Sequence, residues 1–239
     1  MNKFKVLIVL LLCSVMAMAQ GESEGKSNKW ETAVSPNGKV VVRFGIDNGR
    51  PYYTVQYGTK DVIKKSFLGL ELAKDKHASK GMKETSLMDG FELMQTIKTS
   101  HDDTWKPVWG ETDEIRNHYN EMTVSLLQAK SNRNIKICFR VYDDGVGFRY
   151  EFPQQKDLNY FVIKEEHTQF AMAGDHKAWW LPGDYDTQEQ ETQESKLSEI
   201  RSRFHDAVNW GNSSVAVFSD TGVQTALQMK SNDGLYINI

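Results

Sequence analysis

The segment NIKICFRVYDDGVGFRYEF, residues 134–152, carries the pattern that decides the fold. Apolar and polar residues alternate in both of its halves, and Asp143, Asp144 and Gly145 separate the halves. Alternation with a period of two is typical of a half-buried strand, and Asp-Gly between two such runs is typical of a hairpin turn. The segment therefore predicts two antiparallel strands joined by a tight turn.

The same alternation recurs over most of the chain. Further runs rich in Val, Ile, Phe, Tyr and Thr are KVVVRFGI, PYYTVQYG, FLGLELA, EMTVSLLQ, YFVIKEEHTQF, SVAVFS, VQTALQMK and LYINI. Turn sequences such as SPNGK, DNGRP and NDG separate them. Only ESKLSEIRSRFHDAV, residues 194–208, has apolar residues at the spacings of three and four that are typical of a helix. We predict an all-β domain with one short helix near 194–208, and two packed sheets, because a single sheet would leave one apolar face in water.

The first twenty residues, MNKFKVLIVLLLCSVMAMAQ, have the pattern of a signal peptide. Two lysines precede an apolar core, and Ala-Met-Ala at 17–19 matches the small-x-small cleavage pattern. The apolar core is about half as long as a membrane-spanning helix needs to be, which disfavours a transmembrane anchor. We predict a signal peptide at 1–19, export to the periplasm and no membrane attachment after cleavage. A flexible polar lead-in is expected at 20–34 and the folded domain at 35–239.

Charge and cysteine content narrow the function classes. The formal net charge is −3 with both signs mixed, so neither nucleic acid nor an anionic membrane is indicated as a partner. Cleavage would remove Cys13 and leave Cys138, which we interpret as a small buried apolar residue without a disulfide partner. The sequence contains no Walker-type loop, paired CxxC, HExxH or GxSxG. The sequence therefore has none of these motifs from which a function could be inferred.

A polar and aromatic cluster, WKPVWGETDEIRNHYNE at 105–121, suits a sugar. Trp109 offers a flat face for stacking, and Arg116, Asn117 and His118 offer hydrogen-bonding groups for hydroxyls. The alternative is a long loop between strands in which Trp109 is buried and the charges are solvated. Residue types alone favour the loop.

A second cluster, YFVIKEEHTQF at 160–170, places His167 beside Glu165 and Glu166. These residue types suit a catalytic or metal-binding group, but a strand directs successive side chains to opposite faces. We interpret His167 as a hydrogen-bonded structural histidine.

A third cluster, WWLPGDYDTQEQETQES at 179–195, joins two tryptophans and a Pro-Gly turn to five acidic residues. An oxygen-rich segment without sulfur suits a hard cation such as Ca²⁺, although the spacing is not that of an EF-hand. The alternative is a solvated loop, which residue types alone favour. The residues by themselves do not single out one carboxylate.

Five segments, taken in order, resemble the N-terminal domain of family 97 glycoside hydrolases, and most closely the α-glucosidases of starch-utilisation systems. They are TWKPVWGETDEIRNHYNE, VYDDGVGFRYEFPQQ, LNYFVIKEEHTQF, LPGDYDTQE and TGVQTALQMKSNDGLYINI. The resemblance covers about 35–239. It implies a galactose-mutarotase-like β-super-sandwich that precedes a catalytic (β/α)8 barrel and contacts it within the same chain. It also implies hydrolysis of α-linked glucosides or galactosides.

The resemblance implies a role for particular residues. Glu189, at the end of DYDTQE, is expected to give one carboxylate to an active-site Ca²⁺ whose other ligands belong to the barrel. Trp109, Arg116, Asn117 and His118 are expected near the α-linked oligosaccharide substrate. No catalytic residue is expected in this chain.

The last residues, DGLYINI, alternate without a closing turn. We therefore expect the chain to be the N-terminal part of a longer hydrolase and to be inactive alone. The alternative is a stand-alone carbohydrate-binding β-sandwich module without catalysis.

Overall fold

The computed structural model describes residues 30–74 and 86–239. The signal peptide at 1–19 and residues 20–29 of the expected lead-in lie outside the described residues, so both stay predictions. The last part of the lead-in differs from the expectation, because Glu31–Val34 form strand β1 rather than a flexible segment. Thr32, Ala33 and Val34 pair with the next strand, and Ala33 is buried against it.

The described residues form four antiparallel sheets and little helix, which confirms the all-β prediction. The N-terminal sheet has the order β1-β2-β3-β4, with β2 Val40–Asp47, β3 Arg50–Tyr57 and β4 Lys60–Phe67. The small sheet has the order β11-β5-β6, with β5 Leu70–Leu72, β6 Ser86–Leu87 and β11 Ile163–Glu166. The central sheet has the order β10-β9-β8-β7, with β7 Phe91–Trp105, β8 Ile115–Gln128, β9 Arg133–Val141 and β10 Val146–Glu151. The C-terminal sheet has the order β13-β12-β14-β15, with β12 Lys177–Trp180, β13 Gln193–Lys196, β14 Gln228–Lys230 and β15 Tyr236–Asn238.

The main core lies between the N-terminal and central sheets. Alternate residues of β2, including Val42 and Phe44, are fully buried, and so are Ile137 and Phe139 of β9. The rings of Phe44 and Phe139 lie 6.1 Å apart. Two sheets that each bury one face against the other explain why the sequence alternates with a period of two.

The hairpin expected from the segment 134–152 is present. Val141 of β9 pairs with Val146 of β10, and the Tyr142 N–H donates to the Gly145 carbonyl at 2.8 Å across the turn. Cys138 lies in β9 with 1% of its surface exposed, and burial raises the pKa of its thiol. Cys138 is therefore the buried apolar residue that the sequence predicts.

A tight turn that needs glycine connects β2 to β3. Asn48 and Gly49 both have positive φ, at 50° and 79°, between the paired residues Asp47 and Arg50. A Cβ atom on Gly49 would lie 2.8 Å from the backbone nitrogen of Gly90, which is too close. The turn thus fixes the β2–β3 register and packs against the start of the central sheet.

The predicted helix is present but shorter than 194–208. Residues 194–196 extend β13, which pairs with β12, and a 3₁₀ turn at Leu197–Glu199 leads into α1, Ile200–Ala207. Pairing with β12 satisfies the backbone groups of the segment before Leu197, so the helix starts after it. Among the described residues, no helix is long and apolar enough to cross a membrane.

A second core joins α1 to the C-terminal sheet. Ile200 and Phe204 of α1 pack with Ala178, Trp180 and Met229 of the sheet, all of them buried. The apolar face of the short helix therefore closes one side of the sheet from which the acidic loop leaves.

We expect Phe139→Ala to lower the free energy of unfolding by about 3–5 kcal/mol, because it removes a fully buried ring between two sheets. Urea unfolding followed by tryptophan fluorescence measures this loss. Val108→Ala is the control, since Val108 is 99% exposed and its loss should cost less than about 0.5 kcal/mol. Equal losses in the two variants would contradict the core described above.

Candidate functional site

The loop between β12 and β13 starts from a buried tryptophan. Trp180 is 2% exposed, its ring stacks on Phe204 at 6.4 Å, and its Nε1–H donates to the Ser195 hydroxyl at 2.9 Å. Pro182 and Gly183 follow and are buried too, with the Gly183 N–H donating to the Gly222 carbonyl. Trp180 and the Pro-Gly turn therefore fix the first residues of the loop to the C-terminal sheet.

Asp184 organises the rest of the loop. Its Oδ1 accepts backbone N–H bonds from Asp186 at 2.9 Å, Thr187 at 3.3 Å and Ala216 at 3.1 Å. Its Oδ2 accepts the side-chain amide of Gln190 at 3.2 Å. Aspartates often accept N–H bonds from the residues two and three positions later in a turn, and this tendency is the one signal from which the sequence could have indicated the role of Asp184.

The hydrogen bonds of Asp184 also affect its ionisation. Partial burial raises the pKa of the carboxyl group, but the backbone N–H groups of Asp186, Ala216 and Thr187 together lower it further, and the net pKa lies below the usual value. Asp184 is thus held as a carboxylate that belongs to the loop structure and not to a ligand.

The five acidic residues of the 179–195 cluster fall into two groups. Asp184 is used by the loop, and Glu194 is used by its neighbours, because it accepts Lys177 Nζ at 2.5 Å and Trp179 Nε1 at 3.1 Å. The contact with Lys177 lowers the pKa of Glu194. The remaining three acidic residues are Asp186, Glu189 and Glu191. Their side chains are exposed, and none of the ion pairs among residues 30–74 and 86–239 involves them.

Glu189 is the acidic residue at the end of this fixed loop. Its backbone N–H donates to the Thr187 hydroxyl at 2.9 Å, which continues the turn that starts at Asp184. One carboxylate oxygen accepts a long bond of 3.4 Å from the Asn212 amide, and the side chain is exposed. Oxygen donors without sulfur or a paired basic group fit a hard cation such as Ca²⁺, but one carboxylate binds such an ion weakly.

The topology places this loop at the edge where the last strand ends. β12 and β15 are both antiparallel to β14, so they run in the same direction. Trp179 and Asn238 both pair with Gln228, and Ile239 exchanges two backbone hydrogen bonds with Leu227. The start of the loop after Trp180 and the end of β15 at Ile239 therefore lie at the same end of the C-terminal sheet.

The residues expected to bind sugar lie on one long hairpin. β7 and β8 pair over their whole length, from Phe91 with Gln128 to Trp105 with Ile115. Lys106 to Glu114 form the loop at the tip of the hairpin, so nine residues of the 105–121 segment are loop, as residue types favour, and the remaining eight belong to β7 and β8. Trp109 in that loop is 89% exposed, which excludes the alternative in which it is buried.

The hairpin separates the candidate side chains. Arg116 and His118 lie on one face of the hairpin. On that face the Arg116 guanidinium donates two hydrogen bonds, of 2.8 and 2.7 Å, to the Asp102 carboxylate. This contact lowers the pKa of Asp102. Asn117 points to the other face, where its side-chain oxygen accepts the Tyr142 hydroxyl at 3.3 Å.

The structure does not join the hairpin to the acidic loop. Among the described residues, no hydrogen bond or ion pair connects Trp109, Arg116, Asn117 or His118 to Glu189. These contacts therefore do not bring the five candidate residues together, and their roles stay predictions.

His167 lies next to two carboxylates rather than in a closed hydrogen-bond network. Its Nε2 is 3.6 Å from a Glu71 oxygen and 3.8 Å from a Glu165 oxygen. Glu71 was not singled out from the sequence, because it lies on β5, far from His167 along the chain.

The described residues form an all-β sandwich with an acidic loop between β12 and β13. The model of the family described as glycosyl-hydrolase 97 N-terminal matches residues 33–239, and the chain belongs to this family.

Relatives of known activity are longer than this chain. A retaining alpha-galactosidase of Bacteroides thetaiotaomicron is 25% identical over 150 residues, which are 63% of this chain and 19% of that protein. A family 97 glycoside hydrolase from Pseudoalteromonas sp. strain K8, solved in complex with acarbose, has a TM-score of 0.69 at 25% identity. A variant family 97 enzyme from the same strain, solved with panose, has a TM-score of 0.68 at 25% identity. Each alignment with these two structures covers 87% of this chain and 28% of the other.

We expect Asp184→Asn to lower the free energy of unfolding at pH 7, and the difference from the unchanged protein to shrink in acid. The folded-state pKa of Asp184 is depressed, so its stabilisation is complete above the unfolded pKa of about 3.9 and is lost as pH falls through the lower folded value. Urea unfolding between neutral and acid pH measures this.

Asp186→Asn is the matched control, because the Asp186 side chain is exposed and takes part in no ion pair within the described part of the chain. It should change stability little at any pH. An Asp184→Asn protein that is as stable as the unchanged one at pH 7 would show that the loop does not depend on this carboxylate.

Proposed function

We propose that this chain is the N-terminal domain of an exported, calcium-dependent family 97 hydrolase of α-glucosides. In this proposal the domain completes the active site of a catalytic (β/α)8 barrel, and Glu189 gives one carboxylate to the shared Ca²⁺. The observation that carries the proposal is the exposed Glu189 carboxylate, which has no basic partner among residues 30–74 and 86–239 and lies at the end of a loop fixed by Asp184. Export rests on the signal-peptide pattern at 1–19.

The edge geometry supports a shared site. The Glu189 loop and the end of β15 leave the C-terminal sheet on the same side. A domain that continued from Ile239 would start beside the loop, so its own oxygen ligands would have a short path to the ion. The part that this chain covers is 28% of the Pseudoalteromonas enzyme and 19% of the alpha-galactosidase, which leaves room for such a domain.

The substrate class rests on the relatives. The alpha-galactosidase from Bacteroides and the Pseudoalteromonas enzyme solved with panose both indicate α-linked sugars. We favour glucosides because the five segments quoted in the sequence analysis resemble those of the α-glucosidase group. Turnover of an aryl α-glucoside compared with an aryl α-galactoside, by the enzyme that carries this domain, decides between them.

The work of this domain in such an enzyme is positioning. When bound, Ca²⁺ orients substrate and stabilises charge near the scissile bond. This chain's own residues hold the loop backbone at Glu189 in place through Asp184, Thr187 and Gln190, so little backbone freedom is lost when the ion binds. General acid and base groups are assigned to the barrel.

We expect Glu189→Gln, in the enzyme that carries this domain and its catalytic domain, to raise the Ca²⁺ concentration for half-maximal activity by about tenfold or more, because one charged ligand is lost. Hydrolysis of an aryl α-glucoside over a Ca²⁺ titration measures the shift. Glu191→Gln, two residues away and equally exposed, is the control and should leave the titration unchanged. The same Ca²⁺ dependence in all three proteins would contradict the role of Glu189.

We expect the 239-residue chain alone to release no product from an aryl α-glucoside with or without Ca²⁺, because none of its carboxylates is assigned to catalysis. A colorimetric assay at high protein concentration measures this. Steady turnover that survives purification would contradict the proposed division of labour between domains.

The exposed hairpin tip favours one second candidate, a stand-alone carbohydrate-binding module. Trp109 and Trp105 are 89% and 50% exposed, and exposed tryptophans provide stacking faces for sugar rings. Calorimetric titration of the chain with maltooligosaccharides separates the two functions. Saturable binding that Trp109→Ala abolishes would favour the module, whereas absence of binding favours a site that needs the barrel.

A further inference from the structure

A second group of possible metal ligands lies where β5 and β11 meet. Glu71, Glu165 and His167 each offer one ligand atom, and these three atoms all lie within 4.8 Å of one another. Glu71 is on β5, Glu165 is on β11, and His167 follows β11 directly. Glu71 is close in space to Glu165 and His167 although it precedes them by more than 90 positions in the sequence.

Strand pairing explains why the three side chains converge. Glu165 is the direct cross-strand partner of Glu71, and His167 lies two residues further, so it points to the same face. The His167 N–H donates to the Gly69 carbonyl at 2.9 Å, which extends the ladder beyond Glu166. An irregularity between Ile163 and Glu165 shifts the register just before this point.

The distances fit a shared ion better than direct hydrogen bonds. His167 Nε2 lies 3.6 Å from Glu71 Oε2 and 3.8 Å from Glu165 Oε2, which is too long for an N–H···O bond. Ligand atoms placed about 2.0–2.2 Å from a tetrahedral ion lie roughly 3.3–3.6 Å from one another. Small rotations of these side chains would therefore bring all three atoms to one ion.

The charges at this point also favour a cation. Two carboxylates directly opposite each other on neighbouring strands repel, which destabilises the pair unless a positive charge lies between them. Lys164 Nζ supplies part of that charge, since it lies 2.8 Å from Glu71 Oε1. It engages the other oxygen of Glu71, so Oε2 stays directed towards His167.

We propose that Glu71, Glu165 and His167 form a binding site for a divalent transition-metal ion such as Zn²⁺. One imidazole and two carboxylates suit Zn²⁺, and the partial exposure of all three side chains, from 35% to 59%, lets water take a fourth position. The ion would cross-link β5 to β11 and neutralise the Glu71–Glu165 pair. This site is distinct from the proposed Ca²⁺ ligand Glu189, which lies on the loop between β12 and β13.

Isothermal titration calorimetry of the untagged protein with Zn²⁺ tests this proposal. The unchanged protein should bind one equivalent of Zn²⁺. His167→Ala and Glu165→Gln should each raise the dissociation constant by about tenfold or more, since each removes one of three ligands. Saturating Zn²⁺ should raise the melting temperature of the unchanged protein and not that of His167→Ala.

His205→Ala is the matched control. His205 lies beside one carboxylate, Asp206 at 3.5 Å, whereas His167 lies beside two, and the His205 side chain is more exposed than that of His167. It should leave the dissociation constant within about twofold, as should Glu189→Gln, which affects only the proposed Ca²⁺ site. All variants are exchanges at exposed or half-exposed side chains, and equal melting temperatures without metal confirm that they fold.

Absence of saturable Zn²⁺ binding by the unchanged protein would overturn the proposal. So would binding that His167→Ala and Glu165→Gln leave intact, or binding that His205→Ala abolishes. Loss of Zn²⁺ binding on Glu189→Gln, with His167→Ala neutral, would move the ion to the acidic loop and would also overturn it.

Discussion

The carboxylate of Asp184 is the contact on which the candidate site depends. One of its oxygens accepts three backbone N–H groups from two different segments, and the other accepts the Gln190 amide. Backbone groups in a surface loop otherwise bond to water, and a loop bound only to water does not hold one shape. Because these bonds form, Glu189 has a fixed backbone and an exposed carboxylate, a combination that suits an ion shared with another domain.

Two hydrophobic cores support that loop. The N-terminal and central sheets bury a common core, and the C-terminal sheet buries a second one against α1. Trp180 belongs to the second core and is the last residue of β12 before the loop. The acidic segment and the buried Trp180 are therefore neighbours in the sequence because the loop needs an apolar anchor at its base.

Sequence patterns predicted the elements that bury one face. The β9–β10 hairpin, the buried Cys138 and the single helix all follow from alternation or helical spacing, and the structure contains them. β7 was not predicted, because Phe91–Trp105 is exposed on both faces over most of its length and shows no period of two. The helix α1 starts later than the predicted residue 194 for another reason. Residues 194–196 pair with β12 as part of β13, and such long-range pairing leaves no local signal in the sequence.

The candidate site was predictable only in part. The residues alone did not distinguish among five carboxylates, and the resemblance to family 97 pointed to Glu189; the structure then showed why Asp184 and Glu194 are engaged elsewhere. The partner of His167 could not be found from the sequence, because Glu71 reaches it through the register of β5 with β11. Contacts of this kind depend on tertiary structure and not on spacing along the chain.

The most direct measurement is a crystal structure of the enzyme that carries this domain with its catalytic domain, grown with Ca²⁺ and with anomalous data that locate the ion. The account predicts Ca²⁺ about 2.3–2.6 Å from a Glu189 carboxylate oxygen, with its other oxygen ligands on the catalytic domain. A bound Ca²⁺ with no contact to Glu189, or a Glu189 side chain directed into solvent away from the catalytic domain, would contradict it.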